Sequence, residues 1–182
     1  SGLVSGDSVS SVTLTSVGGL AGSGVGGGPY TIIPSAALGT GIANYTITYS
    51  NGSMTITPAT ITVSVAANDK VYNGNSAASV TLTPSGIVAG DASSVTVAYL
   101  SANFASKNVT YTGSPSVVAT QVVDVNGLTL AGTAASNYSL AGVTSVSTTA
   151  KITPAPYTVI ATASDKVYDN TNSATVTLAG NA

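Results

Sequence analysis

The sequence predicts an all-β protein made of tandem immunoglobulin-like sandwich modules, and three observations support this. Apolar and hydroxylated residues alternate, as from Ile61 to Val65, which is typical of strands with one buried face. Turn-rich stretches such as Asn73-Gly74-Asn75 and Asn126-Gly127 separate these runs at spacings typical of a sandwich. Blocks of sequence also recur along the chain, which indicates tandem modules. We expect two packed antiparallel sheets with about seven to nine strands in each module.

The same alternation predicts further strands at Val80-Thr81-Leu82, Val95-Thr96-Val97 and Met54-Thr55-Ile56-Thr57. It also predicts that Tyr45, Ile47 and Tyr49 share one face. Tyrosines at such positions either close the edge of a sandwich, with the hydroxyl bonded to backbone, or form a platform for stacking sugars. The sequence favours the packing role.

The internal repeat fixes the organisation of the chain. Ile56-Thr57-Pro58-Ala59 returns as Ile152-Thr153-Pro154-Ala155, and Asp69-Lys70-Val71-Tyr72 returns as Asp165-Lys166-Val167-Tyr168, both 96 positions later. Gly6-Asp7 returns as Gly90-Asp91 after 84 positions, and Asn44-Tyr45 returns as Asn137-Tyr138 after 93. These ordered matches predict the rear part of one module at 1–58, a whole module at 59–154 and the opening strands of a third at 155–182.

The junctions between these modules are short and rich in proline. Pro58 lies at the first junction, and Pro154 and Pro156 lie at the second. Proline fixes φ and disfavours helix in the residue before it, so these junctions are predicted to be stiff. The expected object is a semi-rigid row of modules.

Composition excludes several classes of function. The chain has no Cys, His, Trp, Arg or Glu, so its ionisable side chains are four Lys, six Asp and the tyrosines. Acid–base and nucleophilic catalysis lack their usual residues, and we expect no enzyme. A net charge of −2 with no basic cluster argues against nucleic acid and against polybasic membrane contact. No apolar run reaches the roughly 18 residues of a spanning helix, so no membrane insertion is expected.

These repeated residues resemble the bacterial YDG and MBG repeat domains of filamentous-haemagglutinin-like giant surface adhesins. The YDG motif follows an Asp-Lys-Val lead and stands here as Tyr72-Asn73-Gly74 and Tyr168-Asp169-Asn170, each differing at one residue. The MBG-like residues are Asn44-Tyr45-Thr46-Ile47 and Gly52 to Ala59. The resemblance implies Greek-key β-modules and an extracellular role in extension or adhesion, and it brings no catalytic residues.

The aspartates raise the question of calcium, which needs six to eight oxygen ligands. The candidates are Asp7, Asp91, Asp165 and Asp169. Asp7 and Asp91 follow glycine at equivalent places, where an Asp side chain commonly caps a turn. The sequence therefore favours turn or surface roles, with no cofactor, and a melting temperature unchanged by EDTA would exclude calcium.

Asp69-Lys70 and Asp165-Lys166 allow three interpretations: a solvated edge charge, a surface ion pair, or a Lys–Asn isopeptide bond. Gly22 to Gly27 matches the G-x-G-x-x-G pattern, but a proline and a β-like run follow it where a phosphate site needs a helix. We interpret this stretch as a loop.

The function predicted first is a semi-rigid stalk or fibre of a giant secreted or cell-surface protein. One alternative is a filament subunit whose split modules are completed by identical chains through β-strand addition. Another is a module that binds glycans or surfaces. The expected partners are neighbouring modules or identical chains, with host or surface glycans at a tip outside this sequence. No signal peptide opens the chain, so an export signal is expected outside it.

Overall fold

A computed structural model describes residues 2–114 and 117–180, and these residues form an all-β structure. Their helices are all short 3-10 turns, so the predicted fold class is confirmed. The strands are β1 Ser11–Thr15, β2 Tyr30–Leu38, β3 Gly52–Met54, β4 Ala59–Thr60, β5 Thr62–Ala67, β6 Lys70–Val71, β7 Val80–Ser85, β8 Thr96–Ala98, β9 Ser101–Phe104, β10 Tyr111–Thr112, β11 Val117–Val118, β12 Gln121–Asn126, β13 Thr129–Ala131, β14 Tyr138–Ser139, β15 Ser145–Ala150, β16 Ile152–Thr153, β17 Val159–Ala163 and β18 Val176–Gly180. The 3-10 helices are Val17–Gly19, Val25–Gly27, Ile42–Asn44, Ala89–Asp91 and Ala135–Asn137.

The first module contains a three-stranded sheet in the order β1-β2-β3. Strand β2 is antiparallel to both neighbours, and the β1–β2 register shifts between Ser11 and Thr13. The buried aromatic of this sheet is Tyr30, which is 8% exposed. A Cβ on Gly18 would lie within 3 Å of the Tyr30 ring, so this position needs glycine for close packing.

The described part of residues 59–154, the predicted whole module, forms small sheets. One has the order β15-β12-β9, and two-stranded sheets pair β5 with β7, β13 with β8, and β10 with β11. Two further pairs are parallel, namely β14 with β4 and β16 with β6. Both parallel pairs join the opening strands of the module to its rear strands.

The chain divides into two compact units, each with its own buried cluster. The described residues of the first are 2–65, 82–100 and 125–146, and its cluster is Ile61, Val95 and Tyr138. Those of the second are 66–81, 101–124 without 115–116, and 147–180. Its cluster is Phe104, Val123, Ala150 and Ile152. These clusters bury the apolar face that the alternating pattern predicts.

Strand β12 shows how the period-two pattern is used. Gln121, Val123 and Val125 are buried, and the residues between them are exposed. The buried amide of Gln121 is satisfied, since its Nε2 donates to Asn108 O at 2.7 Å and its Oε1 accepts from Ser106 N at 3.2 Å. The amide nitrogen and oxygen of Gln121 therefore both bind the loop before β10.

Four sequence expectations need correction. The pairing is not purely antiparallel, because β4 and β6 run parallel to their partners. Thirteen named strands, β4 to β16, lie in the described part of 59–154, more than the seven to nine expected, because long runs are interrupted where they change partner. One run breaks at Ile61, between β4 and β5, and another at Lys151, between β15 and β16.

The other two corrections concern the first module. The strand predicted over Met54 to Thr57 ends at Met54, and Tyr45 to Tyr49 form no strand. Tyr45 and Tyr49 therefore do not share a strand face. The Tyr49 hydroxyl instead accepts a hydrogen bond from Ala37 N at 2.8 Å. A run forms a strand only where its backbone pairs with another strand, and neither run has such a partner among the described residues.

The last segment forms an antiparallel hairpin of β17 and β18, with Val159 opposite Gly180 and Ala163 opposite Val176. Every described residue from Pro154 to Gly180 is exposed. The apolar face includes Val176 at 53% exposure and Leu178 at 69%. Their counterparts 96 positions earlier, Val80 and Leu82, are half-buried.

Candidate functional site

The structure brings Asp91 and Tyr138 together in a hydrogen-bonded latch of the whole module. The Tyr138 hydroxyl donates to Asp91 Oδ2 at 2.8 Å and accepts from Val88 N at 3.1 Å. The ring is buried at 6% exposure and packs in the cluster with Ile61 and Val95. Burial raises the pKa of the Tyr138 hydroxyl, and the hydrogen bond to Asp91 raises it further. The latch thus joins the turn after Val88 to strand β14.

The first module repeats this latch with the same atoms. The Tyr45 hydroxyl donates to Asp7 Oδ2 at 2.8 Å and accepts from Val4 N at 2.8 Å. Gly41 lies against the Asp7 carboxylate, where a Cβ would come within 2.0 Å of Oδ1, and its φ of +71° also favours glycine. The recurring Val-x-Gly-Asp and Asn-Tyr segments are therefore the sequence signal of a paired structural contact.

The contact between each Asp and its Tyr is what the sequence alone did not reveal. Gly-Asp and Asn-Tyr recur in both copies, but 37 or more residues separate the partners in each. The valine amides, from Val4 and Val88, were also not singled out as functional. The sequence signal for this contact is that the Gly-Asp and Asn-Tyr segments both recur in both modules.

The four calcium candidates belong to no metal-binding group in the part of the chain that the structure describes. Asp7 and Asp91 each bind a tyrosine hydroxyl, and Asp169 pairs with Lys166 at 2.8 Å. In residues 2–114 and 117–180, no group of three or more acidic side chains is placed to hold a metal ion. Asp165 is exposed in the final hairpin.

The lysine of the Asp-Lys-Val segment holds the loop that follows it. Lys70 Nζ donates to Asn75 O at 3.0 Å, Asn75 Oδ1 at 2.8 Å and Ala77 O at 3.0 Å. These contacts use the three donors of the ammonium group. The ammonium also lies 5.9 Å from the centroid of the Phe104 ring, within cation–π range.

Lys166 forms the equivalent contacts in the last segment. Its Nζ donates to Thr171 O at 2.9 Å, Thr171 Oγ1 at 3.0 Å and Ser173 O at 2.8 Å. Lys166 forms an ion pair with Asp169, and not with the neighbouring Asp165 that the sequence offered as one of three interpretations. The hydrogen bond from Lys166 lowers the pKa of Asp169, and the bonds from Thr171 lower it further. Thr171 replaces the amide of Asn75, so this second loop has no Asn there for an isopeptide bond.

The third residue of the Tyr-Asp/Asn-Gly/Asn motif occupies a left-handed turn in both copies. Gly74 has φ of +81°, and its counterpart Asn170 has φ of +56°. Glycine and asparagine are the residues that adopt this conformation most readily. Before it, the Asp169 carboxylate accepts from Thr171 N at 3.0 Å, and the Asn73 amide accepts from Asn75 N at 3.4 Å. The motif therefore encodes one turn, and its two variants are conformationally equivalent.

Asp69 fastens the opening of the module to its rear. Its Oδ1 accepts from Lys151 N at 2.6 Å, and Tyr72 N donates to Thr153 O at 2.8 Å. These bonds flank the parallel pairing of β6 and β16, in which Lys70 faces Ile152. The Tyr72 side chain itself is 39% exposed.

The first junction is built around Asn137. Its Oδ1 accepts from Val25 N at 2.9 Å, which links the rear of the whole module to the glycine loop of the first. A Cβ on Gly24 would lie 2.6 Å from this Oδ1, so the loop needs glycine there. The Tyr30 hydroxyl donates to Gly24 O and holds the loop from the other side. A cavity of about 200 Å³ at this joint is lined by Gly24, Ile56, Ala59, Val88, Asp91 and Tyr138.

The chain segment of the first junction is short, since only residues 55–58 lie between β3 and β4. Pro58 is exposed, and the two residues after it are already β4, which pairs with Tyr138–Ser139. Pro154 and Pro156 are exposed at the second junction, before β17 begins. The glycine loop of the G-x-G-x-x-G pattern is thus a joint element, with Val25–Gly27 as a single 3-10 turn.

The β-strands, the two Asp–Tyr latches and the contact of Asn137 with Val25 together define a protein of tandem all-β modules. The family model of the YDG domain matches residues 57–148, and that of the MBG domain (YGX type) matches residues 1–55. The chain belongs to the YDG domain family, with an MBG domain ahead of its YDG domain, and the resemblance seen in the sequence is confirmed. No curated protein and no solved structure matches the chain.

These domains are consistent with extracellular repeat or adhesin-like modules, and neither is known as an enzymatic family. Both are typical of surface proteins. None of the helices in the described part of the chain is long and apolar enough to cross a membrane.

Proposed function

We propose that this chain is a load-bearing segment of a semi-rigid extracellular stalk, secreted or held at a bacterial cell surface. The observation that supports the proposal is the first junction, where only residues 55–58 lie between β3 and the paired strand β4, and Asn137 Oδ1 accepts a hydrogen bond from Val25 N. A tether that must keep its modules in line needs such a joint, since free Gly/Ser linkers behave as random coils.

The residues of the site support a structural role. The contacts that recur between the copies are hydroxyl–carboxylate latches and loops whose carbonyls bind a lysine ammonium. Among the described residues, no buried side-chain nitrogen or oxygen lacks a hydrogen-bond partner. Polar networks satisfied in this way rigidify a fold.

The joint can be tested with Asn137→Ala, which removes the acceptor for Val25 N. We expect the amide of Val25 to exchange with solvent several-fold faster, because its hydrogen bond to the next module is lost. Hydrogen exchange followed by NMR measures this directly. The matched control is Asn44→Ala, the exposed counterpart in the first module, which should leave Val25 protected. Equal protection of Val25 in parent and Asn137→Ala would show that the side chain does not hold the joint.

The stalk itself can be tested on native material boiled in SDS before electrophoresis. A stalk predicts one giant band, because the modules belong to one polypeptide. A ladder ending near 17.6 kDa would contradict the stalk and favour the filament subunit. Protease treatment of intact cells should remove the giant band if it lies outside the membrane.

A further inference from the structure

Three asparagine–glycine steps occur in the chain, namely Asn51-Gly52, Asn73-Gly74 and Asn126-Gly127. In such a step the backbone nitrogen of the glycine can attack the side-chain amide of the asparagine, because glycine has no Cβ to shield it. Asparagine is among the thermolabile residues of proteins. Gly52 begins strand β3 and Asn126 ends strand β12, whereas Asn73 and Gly74 belong to no strand. In the described part of the chain, Asn73-Gly74 is therefore the one of the three steps that lies outside the strands.

The surroundings of Asn73 and Gly74 leave the reacting atoms accessible. Both residues are exposed, and a Cβ on Gly74 would meet no atom within 4 Å beyond its chain neighbours. Among the described residues, the Gly74 N–H donates no hydrogen bond. The Asn73 Oδ1 accepts from Asn75 N at 3.4 Å, and its Nδ2 donates to none of these residues. The described fold therefore holds neither the attacking nitrogen nor the leaving nitrogen.

The second copy of this loop shows what a carboxylate does at the same position. Asp169 stands 96 positions after Asn73, and Lys166 stands 96 positions after Lys70. The Asp169 carboxylate lies 2.8 Å from Lys166 Nζ and accepts from Thr171 N at 3.0 Å. This turn therefore accommodates an aspartate, and the lysine three residues before it supplies a charge-assisted hydrogen bond.

The first copy holds its lysine in the equivalent place. Lys70 Nζ donates to the backbone oxygens of the residues five and seven positions later, and Lys166 Nζ does the same. Each of these four distances lies between 2.8 and 3.0 Å. The turn has the same hand in both copies, with φ of +81° at Gly74 and +56° at Asn170. A carboxylate at position 73 is therefore placed to meet Lys70 as Asp169 meets Lys166.

We propose that Asn73 is a site of spontaneous deamidation, and that its aspartyl product forms an ion pair with Lys70. This modification goes beyond the stalk role and does not depend on it. Water is the only co-reactant that the reaction needs. The product adds one negative charge to the loop and gives the two copies the same contact between lysine and carboxylate.

The reaction proceeds in two steps. The Gly74 nitrogen loses its proton to hydroxide and bonds to Cγ of Asn73, while the bond from Cγ to Nδ2 breaks and the leaving nitrogen takes a proton from water to become ammonia. Water then opens the resulting succinimide ring. Its attack at Cγ gives an aspartyl residue, and its attack at the backbone carbonyl carbon gives an isoaspartyl residue with one more backbone atom. The aspartyl product keeps the backbone of the turn, so it is the one that pairs with Lys70.

Peptide mapping tests the site, because cleavage after lysine places the three steps in separate peptides, residues 1–70, 71–107 and 108–151. The folded chain is kept at mildly alkaline pH, and fragmentation mass spectrometry follows the change from amide to acid at each asparagine. We expect Asn73 to react several-fold faster than Asn51 or Asn126. In guanidinium chloride the three rates should converge, since strands then no longer restrain the other two steps. Equal rates at all three in the folded chain would overturn the proposal.

Gly74→Asn is the matched variant. Asparagine adopts the same left-handed turn at position 170, so the loop is kept, but its side chain shields the backbone nitrogen. The variant should slow the reaction at Asn73 several-fold and leave Asn51 and Asn126 unchanged. An unchanged rate at Asn73 would show that the Gly74 nitrogen is not the attacking atom.

The ion pair is tested by NMR titration of Asn73→Asp. The pKa of the new carboxyl should lie below the ordinary range of aspartate, as the hydrogen bond from Lys166 lowers that of Asp169. Adding Lys70→Gln should raise this pKa, and high salt should raise it without a second substitution. A carboxyl pKa that neither change raises would overturn the pairing. All these results leave the stalk untouched, since that depends on the size of the boiled native protein.

Discussion

Ile152→Ala is expected to lower the free energy of unfolding by about 2–5 kcal/mol. Ile152 is 0% exposed and packs in the cluster of Phe104, Val123 and Ala150. The substitution removes three methyl or methylene groups and leaves a cavity that the surrounding strands fill only in part. Its backbone also pairs with Lys70 across β16 and β6, so loosening here frees the loop of the Tyr-Asn-Gly motif.

Urea unfolding followed by circular dichroism measures the effect, with Ile56→Ala as the matched control. Ile56 has the same sequence context but is half-buried and unpaired, so its loss should cost about 1 kcal/mol. Equal midpoints for the two variants would show that the repeat positions are energetically equivalent, contrary to the burial difference.

Tyr138→Phe is expected to lower the melting temperature by several degrees, because Asp91 Oδ2 loses its donor and Val88 N loses its acceptor. Tyr45→Phe makes the same change in the first module, where the ring is half-buried, and should lower the melting temperature less. Thermal unfolding monitored by circular dichroism compares the two variants. A smaller loss at Tyr138 than at Tyr45 would contradict the role of burial.

The same hydroxyl predicts a dependence on alkaline pH. The folded protein raises the pKa of Tyr138 above 10.0, so the latch contributes its full stability below pH 10.0 and loses it as pH rises through the folded value. The melting temperature of the parent should therefore fall in this alkaline range, and that of Tyr138→Phe should fall less. If the melting temperatures of the parent and of Tyr138→Phe fell equally with pH, Tyr138 would not be the titrating group.

Much of the architecture follows from local sequence. Alternation from Ile61 to Val65 and from Val80 to Leu82 predicts strands, and the structure has strands β5 and β7 there. The turns at Gly74 and Gly127 have positive φ, as turn chemistry predicts. Period two and turn residues act over a few positions, which is why a single sequence reveals them.

The strand boundaries that the sequence predicted wrongly depend on distant partner strands. The segment from Met54 to Thr57 alternates as other strands do, but strand β3 ends at Met54. The sequence leaves three interpretations open for Lys70, a solvated edge charge, an ion pair or an isopeptide bond, and the structure shows its ammonium bound to the carbonyls of its own loop. Composition and alternation do not state which neighbour a residue meets.

The sequence by itself determined the all-β class, the repeat and its family, because each depends on the order and spacing of residues. Only the tertiary structure decided that Asp91 meets Tyr138, that Asn137 holds Val25, and that Ile152 is buried while its copy Ile56 is not. Identical segments differ there because strand pairing and burial are properties of the partner as well as of the segment.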